Sequence, residues 1–242
     1  MQPTAKPEAF WENIGKSGYG NLYASGEVEQ NVYHDIGLVA AQMGQRLGLT
    51  DKSRVLDLGC GDGRFTNTLL ATHFGDIAGI DLAQAAIERA TSMAAKPNMH
   101  FTAANIITLD YSKLGRFDGV FLYGILHHVK SATSAILKQL SQITDNIVIM
   151  EPNGNHILRK LLEKTEAYKN MGEDSFRTKE FEAIIDAAGF EIVEWKRLNL
   201  FPNFTPTFVF KLLKPIEPMI ENSKFLRALC TVNMWSIRTK KV

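Results

Sequence analysis

Short apolar segments and helical patterns alternate along the chain between residues 54 and 200. The apolar segments run almost without polar interruption, as expected of strands buried on both faces of a parallel sheet. They are Arg54–Leu58, Asp76–Leu82, Met99–Ala103, Phe117–Tyr123, Asn146–Glu151 and Glu191–Leu198. The helical patterns between them are Arg64–His73, Gln84–Ala95, Thr133–Ile143, Ile157–Lys164 and Lys179–Ala188. This alternation predicts an α/β fold with a doubly wound parallel sheet.

Two residues support the boundaries of the predicted helix Lys179–Ala188. Thr178 indicates a helix N-cap, and Gly189 indicates a helix end.

Residues 1–49 are rich in aromatic side chains and contain a predicted helix, Val32–Leu47. We therefore expect an N-terminal helical cap, followed by a core that spans residues 50–200.

The chain beyond the core differs in composition from the core itself. Residues 201–229 contain prolines and many large apolar side chains, which predicts an apolar helical insertion. A strand-like run, Cys230–Ile237, lies in the final segment, residues 230–242. We expect this run to return to the sheet as an edge strand.

The composition restricts the classes of partner. The 242 residues include 27 Lys and Arg against 26 Asp and Glu, a net charge of +1 that gives no general attraction to nucleic acid. No apolar run has the length of a bilayer span, and the N-terminal residues lack a signal-peptide pattern. Cys60 and Cys230 belong to no metal-binding cluster. We expect a cytoplasmic protein with reduced thiols and no metal site.

A glycine-rich turn follows the first predicted strand and directly precedes a helix. It runs Asp57-Leu58-Gly59-Cys60-Gly61-Asp62-Gly63, and its glycines permit close approach of a ligand to the backbone. A dinucleotide fingerprint starting at Gly59 requires glycine at position 64, where this chain has Arg64. The carboxylate of Asp57 repels a pyrophosphate but suits an ammonium group. The turn thus favours a ligand with an ammonium over NAD.

Polar residues also follow the second and third predicted strands. Asp81, next to Leu82, is placed to accept hydrogen bonds from ribose hydroxyls, or else to cap the following helix. Asn105 and Ile106 are placed to contact an adenine edge and ring, although a simple loop asparagine is the alternative.

These motifs, in this order, resemble those of the class I methyltransferases. The resemblance continues through Phe117-Asp118-Gly119-Val120 and Leu126-His127-His128-Val129, and it covers roughly residues 33 to 200. It is nearest to the small-molecule group that includes ubiquinone and menaquinone biosynthesis enzymes. It implies a Rossmann-like seven-stranded sheet, mostly parallel with an antiparallel last strand. It also implies S-adenosylmethionine as the methyl donor, with S-adenosylhomocysteine as the product. The expected cofactor-binding residues are Asp57, Gly59, Cys60, Gly61, Gly63, Asp81, Leu82, Asn105, Ile106, Tyr123 and Tyr19.

Three residues are candidates for catalysis. His127 and His128 follow the fourth strand, where a neutral imidazole is placed to act as a base; packing at the start of the next helix is the alternative. Glu151 ends the fifth strand and is placed to bind the acceptor, orient a histidine, act as a base or hold the loop. Tyr19 and Tyr23 are placed to close the site, unless they pack in the core.

The expected acceptor is a small metabolite. We rank the insertion first as an acceptor-pocket wall or lid, then as core packing, then as a membrane contact. Its apolar character favours an aromatic or lipid-like acceptor, with oxygen ahead of nitrogen or carbon. Leu122-Tyr123-Gly124-Ile125 lacks the prolines of base methyltransferases, so no nucleic acid is expected. A non-catalytic cofactor-binding module is the alternative from another class, ahead of a dehydrogenase. Peripheral membrane contact and the choice between monomer and homodimer are left open.

Overall fold

A single sheet of seven strands forms the centre of the computed structural model, which describes residues 8–19, 26–166, 169, 174–202 and 205–240. The strands are β1 (Arg54–Leu58), β2 (Asp76–Asp81), β3 (Met99–Ala103), β4 (Gly119–Tyr123), β5 (Asn146–Pro152), β6 (Phe190–Leu198) and β7 (Val232–Thr239). Their order is β3-β2-β1-β4-β5-β7-β6. Strands β1 to β5 pair in parallel, while β7 is antiparallel to both β5 and β6. The predicted fold class is confirmed.

The last strand does not lie at an edge. β7 is inserted between β5 and β6, so the expectation that Cys230–Ile237 forms an edge strand is wrong. The physical reason is visible in its burial, because five consecutive residues from Asn233 to Ile237 are buried and both faces of the strand are covered. The edge is β6 instead, where residues 191–193 are exposed.

Helices cover both faces of the sheet. They are α1 (Glu8–Ser17), α2 (Glu27–Arg46), α3 (Ala71–His73), α4 (Gln84–Ser92), α5 (Thr133–Leu140), α6 (Ile157–Leu162), α7 (Thr178–Ala187), α8 (Thr207–Leu213) and α9 (Glu217–Asn222). Before α3 the chain forms a π-helical segment, Thr66–Leu70. One apolar cluster lies under α2, around Met43 and Phe74, and a second lies under α5 and α7, around Leu137 and Phe181. This two-sided core is what a doubly wound sheet requires.

The end signals at α7 have different outcomes. Gly189 follows the helix with a φ of 88°, which confirms it as the helix end. The prediction of Thr178 as N-cap is wrong, since Arg177 occupies that position. The Thr178 backbone N–H and hydroxyl both donate to the Asn155 side-chain oxygen at 2.8 Å, so the hydroxyl ties α7 to the loop after β5.

Among the residues that the structure describes, no helix combines the length and apolar character needed to cross a membrane. In the same ranges, no group of three or more His, Cys, Asp or Glu side chains is arranged to hold a metal ion. Cys60 and Cys230 are buried and form no disulfide.

Candidate active site

A cavity of about 520 Å³ lies at the carboxyl ends of the central strands. This is where open α/β sheets place their ligands. Nine of the eleven expected cofactor-binding residues line it, namely Tyr19, Gly59, Cys60, Gly61, Asp81, Leu82, Asn105, Ile106 and Tyr123. His127 and His128 line the same cavity, whereas Asp57, Gly63 and Glu151 are not part of its wall. Cofactor and catalytic candidates therefore share one cavity.

The glycine turn is fastened to the neighbouring strand. The N–H groups of Gly59 and Cys60 both donate to the carbonyl of Ile80 in β2, at 2.7 and 3.0 Å. Gly59 has a φ of 84°, and a Cβ there would lie 2.5 Å from a side-chain carbon of Ile125. Only glycine satisfies both the backbone conformation and the close packing at this position. The turn is thus held by β2 from one side and by the loop after β4 from the other.

Replacing Gly59 with alanine should lower the free energy of unfolding by at least about 2 kcal/mol, because positive φ and steric overlap act together. Gly48→Ala is the matched control, since Gly48 has a φ of 102° with no atom within 4 Å of its Cβ position. It should cost only about 1 kcal/mol. Urea denaturation of both variants measures the difference. Equal losses of unfolding free energy in Gly59→Ala and Gly48→Ala would contradict a role for the contact between Gly59 and Ile125.

Asp81 links the end of β2 to the glycine turn. One carboxylate oxygen accepts the Gly61 N–H at 2.9 Å, and the other accepts the Ala83 N–H at 3.0 Å. The residue is not the cap of α4, because Ala83 occupies that position. Burial raises the pKa of Asp81, partly offset by these backbone hydrogen bonds. Asp81 therefore organises the turn and is itself part of the cavity wall.

Asp57 is a buried carboxylate that is only half satisfied. Its Oδ2 accepts a hydrogen bond from the Thr66 hydroxyl at 2.5 Å, while Oδ1 has no hydrogen-bond partner among the described residues. Burial raises the pKa of Asp57 to about 7. A buried carboxylate oxygen without a donor is costly unless a cation or donor reaches it. The residue thus has an unmet demand for a cation or donor, at a position behind the cavity wall.

The N-terminal helix lies over the site. The ring centroids of Trp11 and His128 are 4.6 Å apart, and the Tyr19 ring lies over Gly61, where a Cβ would be 3.5 Å from it. Asn105 donates to a carboxylate oxygen of Glu8 in α1 at 3.3 Å, so this amide joins the loop after β3 to the helix. Tyr23 lies outside the described residues.

His127 and Glu151 form a buried dyad. The Nδ1 of His127 is 2.7 Å from Oε2 of Glu151, whose two oxygens also accept the backbone N–H groups of Leu126 and His127. The side chain of Glu151 is fully buried and that of His127 is 6% exposed. When the carboxyl group is ionised and the imidazole is neutral, the Nδ1 proton donates to Glu151 and the lone pair lies on Nε2. His127 lines the cavity, so this tautomer suits a base there.

The family of methyltransferase domains has a model that matches residues 33–195. The chain belongs to this family. The match confirms the resemblance to methyltransferases seen in the sequence. No curated protein matches the chain.

Solved structures share the fold of this methyltransferase at low sequence identity. Magnesium protoporphyrin IX methyltransferase from Synechocystis PCC 6803, with bound S-adenosylhomocysteine, has 14% identity and a TM-score of 0.65, over 96% of this chain and 98% of that one. N-methyltransferase NodS from Bradyrhizobium japonicum WM9, also with S-adenosylhomocysteine, has 13% identity and a TM-score of 0.61, over 96% and 99%. The [4+2]-cyclase SpnF has 16% identity and a TM-score of 0.60, over 85% and 81%.

The methyltransferase cavity has a second side that the sequence reasoning overlooked. Trp11, His156, Arg159 and Phe201 line it together with the expected residues. His156 and Arg159 follow the carboxyl end of β5, so the rule that selected residues after β1, β2 and β4 also applies to them. Trp11 carries no such signal, because its contact with His128 joins positions more than a hundred residues apart.

Proposed function

We propose that this methyltransferase transfers the methyl group of S-adenosylmethionine to an oxygen atom of a small aromatic or lipid-like acceptor. The observation that carries the proposal is the shared cavity, in which the glycine turn and the His127 imidazole with its buried Glu151 partner line one space. Such a cavity brings a cofactor and a base to one acceptor.

The chain's residues fit the donor. Gly59, Gly61 and Asp81 line the cavity, where the turn is expected to contact the cofactor and Asp81 to accept from its ribose hydroxyls. We assign the ammonium group to Asp57, which lies outside the cavity wall and has an Oδ1 without a partner among the described residues. Ile106 and Asn105 line the same cavity, and we assign them to the adenine. S-Adenosylmethionine, when bound, supplies a methyl group already activated on a sulfonium. The remaining work of the protein is alignment, exclusion of water and removal of a proton from the acceptor.

The acceptor side of the cavity supports an apolar molecule. Trp11, Leu158, Leu162, Phe201 and Val232 contribute apolar wall beside the polar side chains of His156 and Arg159. Mostly apolar walls with a few polar groups are typical of small-molecule sites. His127 is then the group placed to take the proton of a hydroxyl, with Glu151 holding its ring. The neutral net charge again argues against nucleic acid as the acceptor. A cytoplasmic location stays a prediction.

A second candidate is a binding or reaction module without methyl transfer. SpnF has the same fold and is a cyclase, which illustrates that a fold hosts several chemistries. The buried dyad favours methyl transfer, because a purely binding module has no need of an imidazole held by a carboxylate at the cavity wall.

Transfer of radiolabel from S-[methyl-³H]adenosylmethionine tests the proposal. The acceptors are 4-octylphenol and 4-octylaniline, which share an apolar body and differ in the nucleophilic atom. We expect labelled product from the phenol, with S-adenosylhomocysteine formed in equal amount. Product from the aniline alone would overturn oxygen as the acceptor atom. Tight S-adenosylhomocysteine binding without product from either compound would favour the module.

A further inference from the structure

The insertion helices have two apolar faces, and only one of them packs on the core. From residue 207 to residue 222 the chain is helical through α8, a 3₁₀ turn at Lys214–Ile216, and α9. Phe210 and Ile220 point inward and are buried. Phe208, Leu212, Ile216 and Met219 recur at helical spacing on the outer side, where Phe208 and Leu212 are each 73% exposed. Core packing explains the first face and leaves the second without a role.

This outer face continues beyond the two helices. Phe225, which is 88% exposed, and Leu226 and Leu229 follow it in the next turn. In α6, Ile157 and Leu161 are exposed at a spacing of four residues. The Asn153 side chain, just before α6, donates to the Cys230 carbonyl at 2.8 Å, so α6 and the end of the insertion are neighbours. The exposed apolar face is defined by Ile157, Leu161, Phe208, Leu212, Ile216, Met219, Phe225, Leu226 and Leu229.

The exposed apolar face borders the cavity. His156 and Leu158, at the start of α6, line the cavity, as do Phe201 and Pro202 before the insertion. The α6 part of the face is therefore also part of the cavity wall, and the insertion follows the wall residue Pro202 along the chain. An apolar molecule held against the face lies close to the site where it would react.

The charges around the face are mainly basic. Residues 156–164 and 205–229 contain seven Lys and Arg against three Glu. All three acids accept from backbone N–H groups: Glu163 from Ser175, Glu217 from Leu200 and Glu221 from Asn199. Glu163 also pairs with Arg159 and Lys160, and Glu217 pairs with Lys214.

Two of the lysines form ion pairs with acidic side chains of the neighbouring helix α2. Lys211 pairs with Glu27 at 2.9 Å, and Lys214 pairs with Asp35 at 2.7 Å. Lys164, Lys224 and Arg227 form no ion pair among the described residues, so the seven basic side chains still outnumber Glu27, Asp35 and the three glutamates of the face. This combination matches a surface that is apolar within and anionic at its boundary.

We propose that the exposed apolar face docks on an anionic lipid bilayer. Apolar side chains on short helices, with basic residues around them, are the chemistry of interfacial membrane binding. A second copy of the chain is disfavoured as the occupant, because a two-fold interface brings the same basic patch against itself. The bilayer neutralises these charges instead. Docking places the cavity beside a membrane-dissolved acceptor, which is the part of the inference that rests on the proposed function.

Vesicle co-sedimentation tests the docking without any methyl acceptor, so it succeeds or fails independently of the proposed function. We expect the full chain to sediment with phosphatidylglycerol-containing vesicles and far less with pure phosphatidylcholine vesicles. The double variant Leu212→Glu/Phe225→Glu changes two exposed side chains and should reduce the partition coefficient by about tenfold or more. Met93→Glu, at an exposed methionine in another part of the surface, is the matched control and should bind like the wild type.

Three results would overturn the docking surface. The first is a wild-type protein that stays in the supernatant with anionic vesicles at low ionic strength. The second is a double variant that sediments as strongly as the wild type while its circular dichroism is unchanged. The third is sedimentation velocity showing a wild-type dimer that the double variant converts to a monomer, which would assign the face to a second copy.

Discussion

His127→Asn should lower kcat for methylation of 4-octylphenol by about 10²- to 10⁴-fold, the range expected on loss of a general base. The affinity for S-adenosylhomocysteine should change little, because His127 meets Glu151 and not the glycine turn. Asparagine can still donate to the Glu151 carboxylate, so the buried charge keeps a partner. Steady-state kinetics with calorimetry of product binding separates the two effects.

Two comparison variants sharpen this test. Glu151→Gln should also lower kcat while KM stays nearly constant, because Glu151 lies outside the cavity wall and acts by holding the imidazole. His128→Asn removes the neighbouring imidazole, whose ring centroid is 3.9 Å from that of His127, and should keep kcat within about tenfold. Full activity of the folded His127→Asn protein would contradict a role as base.

Asp57→Asn should stabilise the ligand-free protein above pH 7 and weaken its binding of the cofactor product. Burial raises the pKa of Asp57 to about 7 from an ordinary value of 3.8. Between these values the folded state holds a proton that the unfolded chain has lost, so the free energy of unfolding falls as the pH rises. Above about pH 7 the full cost of the buried charge is present, and asparagine avoids it.

The stability effect is measured by thermal unfolding at about pH 5 and pH 8. At the higher pH the variant should gain at least about 1 kcal/mol, or about 2–4 °C in Tm, and at the lower pH the difference should shrink. Thr66 can still donate to the amide oxygen, so the packing is conserved. A variant that is less stable at both pH values would contradict the assignment of an uncompensated buried carboxylate.

The binding effect has its own control ligand. S-Adenosylhomocysteine carries the ammonium that Asp57 is proposed to neutralise, and its Kd should rise by about 10- to 100-fold in Asp57→Asn, as for loss of a charge-assisted hydrogen bond. 5′-Methylthioadenosine lacks the amino-acid group and should bind both proteins alike. Equal losses for the two ligands would indicate a distorted turn and not a lost ammonium partner.

The core of this fold was predictable because its signals are local. Each central strand is a short apolar run, which predicts burial on both faces. The glycines and Asp57 after β1 predict the turn. Which strands a given strand pairs with cannot be predicted from its own residues. Cys230–Ile237 shows that a strand is present, but its place between β5 and β6 depends on the burial of Asn233 to Ile237 against distant helices.

The residues of the site also divide into those with a local sequence signal and those without one. Residues that end central strands, such as Asp81 and His127, were predictable from their position in the alternation. The Trp11 contact and the inward turn of Glu217 join parts of the chain that no periodicity connects. The sequence left Glu151 open among base, acceptor ligand, histidine orienter and holder of the loop. Its 2.7 Å distance to His127 and its bonds from the backbone N–H groups of Leu126 and His127 carry no sequence signal.

Isothermal titration calorimetry of S-adenosylhomocysteine, with NAD titrated in parallel, tests most directly that the cavity beside the glycine turn is a cofactor site. We expect saturable binding of one molecule per chain, and no heat from NAD, because Arg64 breaks the dinucleotide pattern and Asp57 opposes a pyrophosphate. Folded protein that gives no heat with S-adenosylhomocysteine, or that binds NAD instead, would contradict this account.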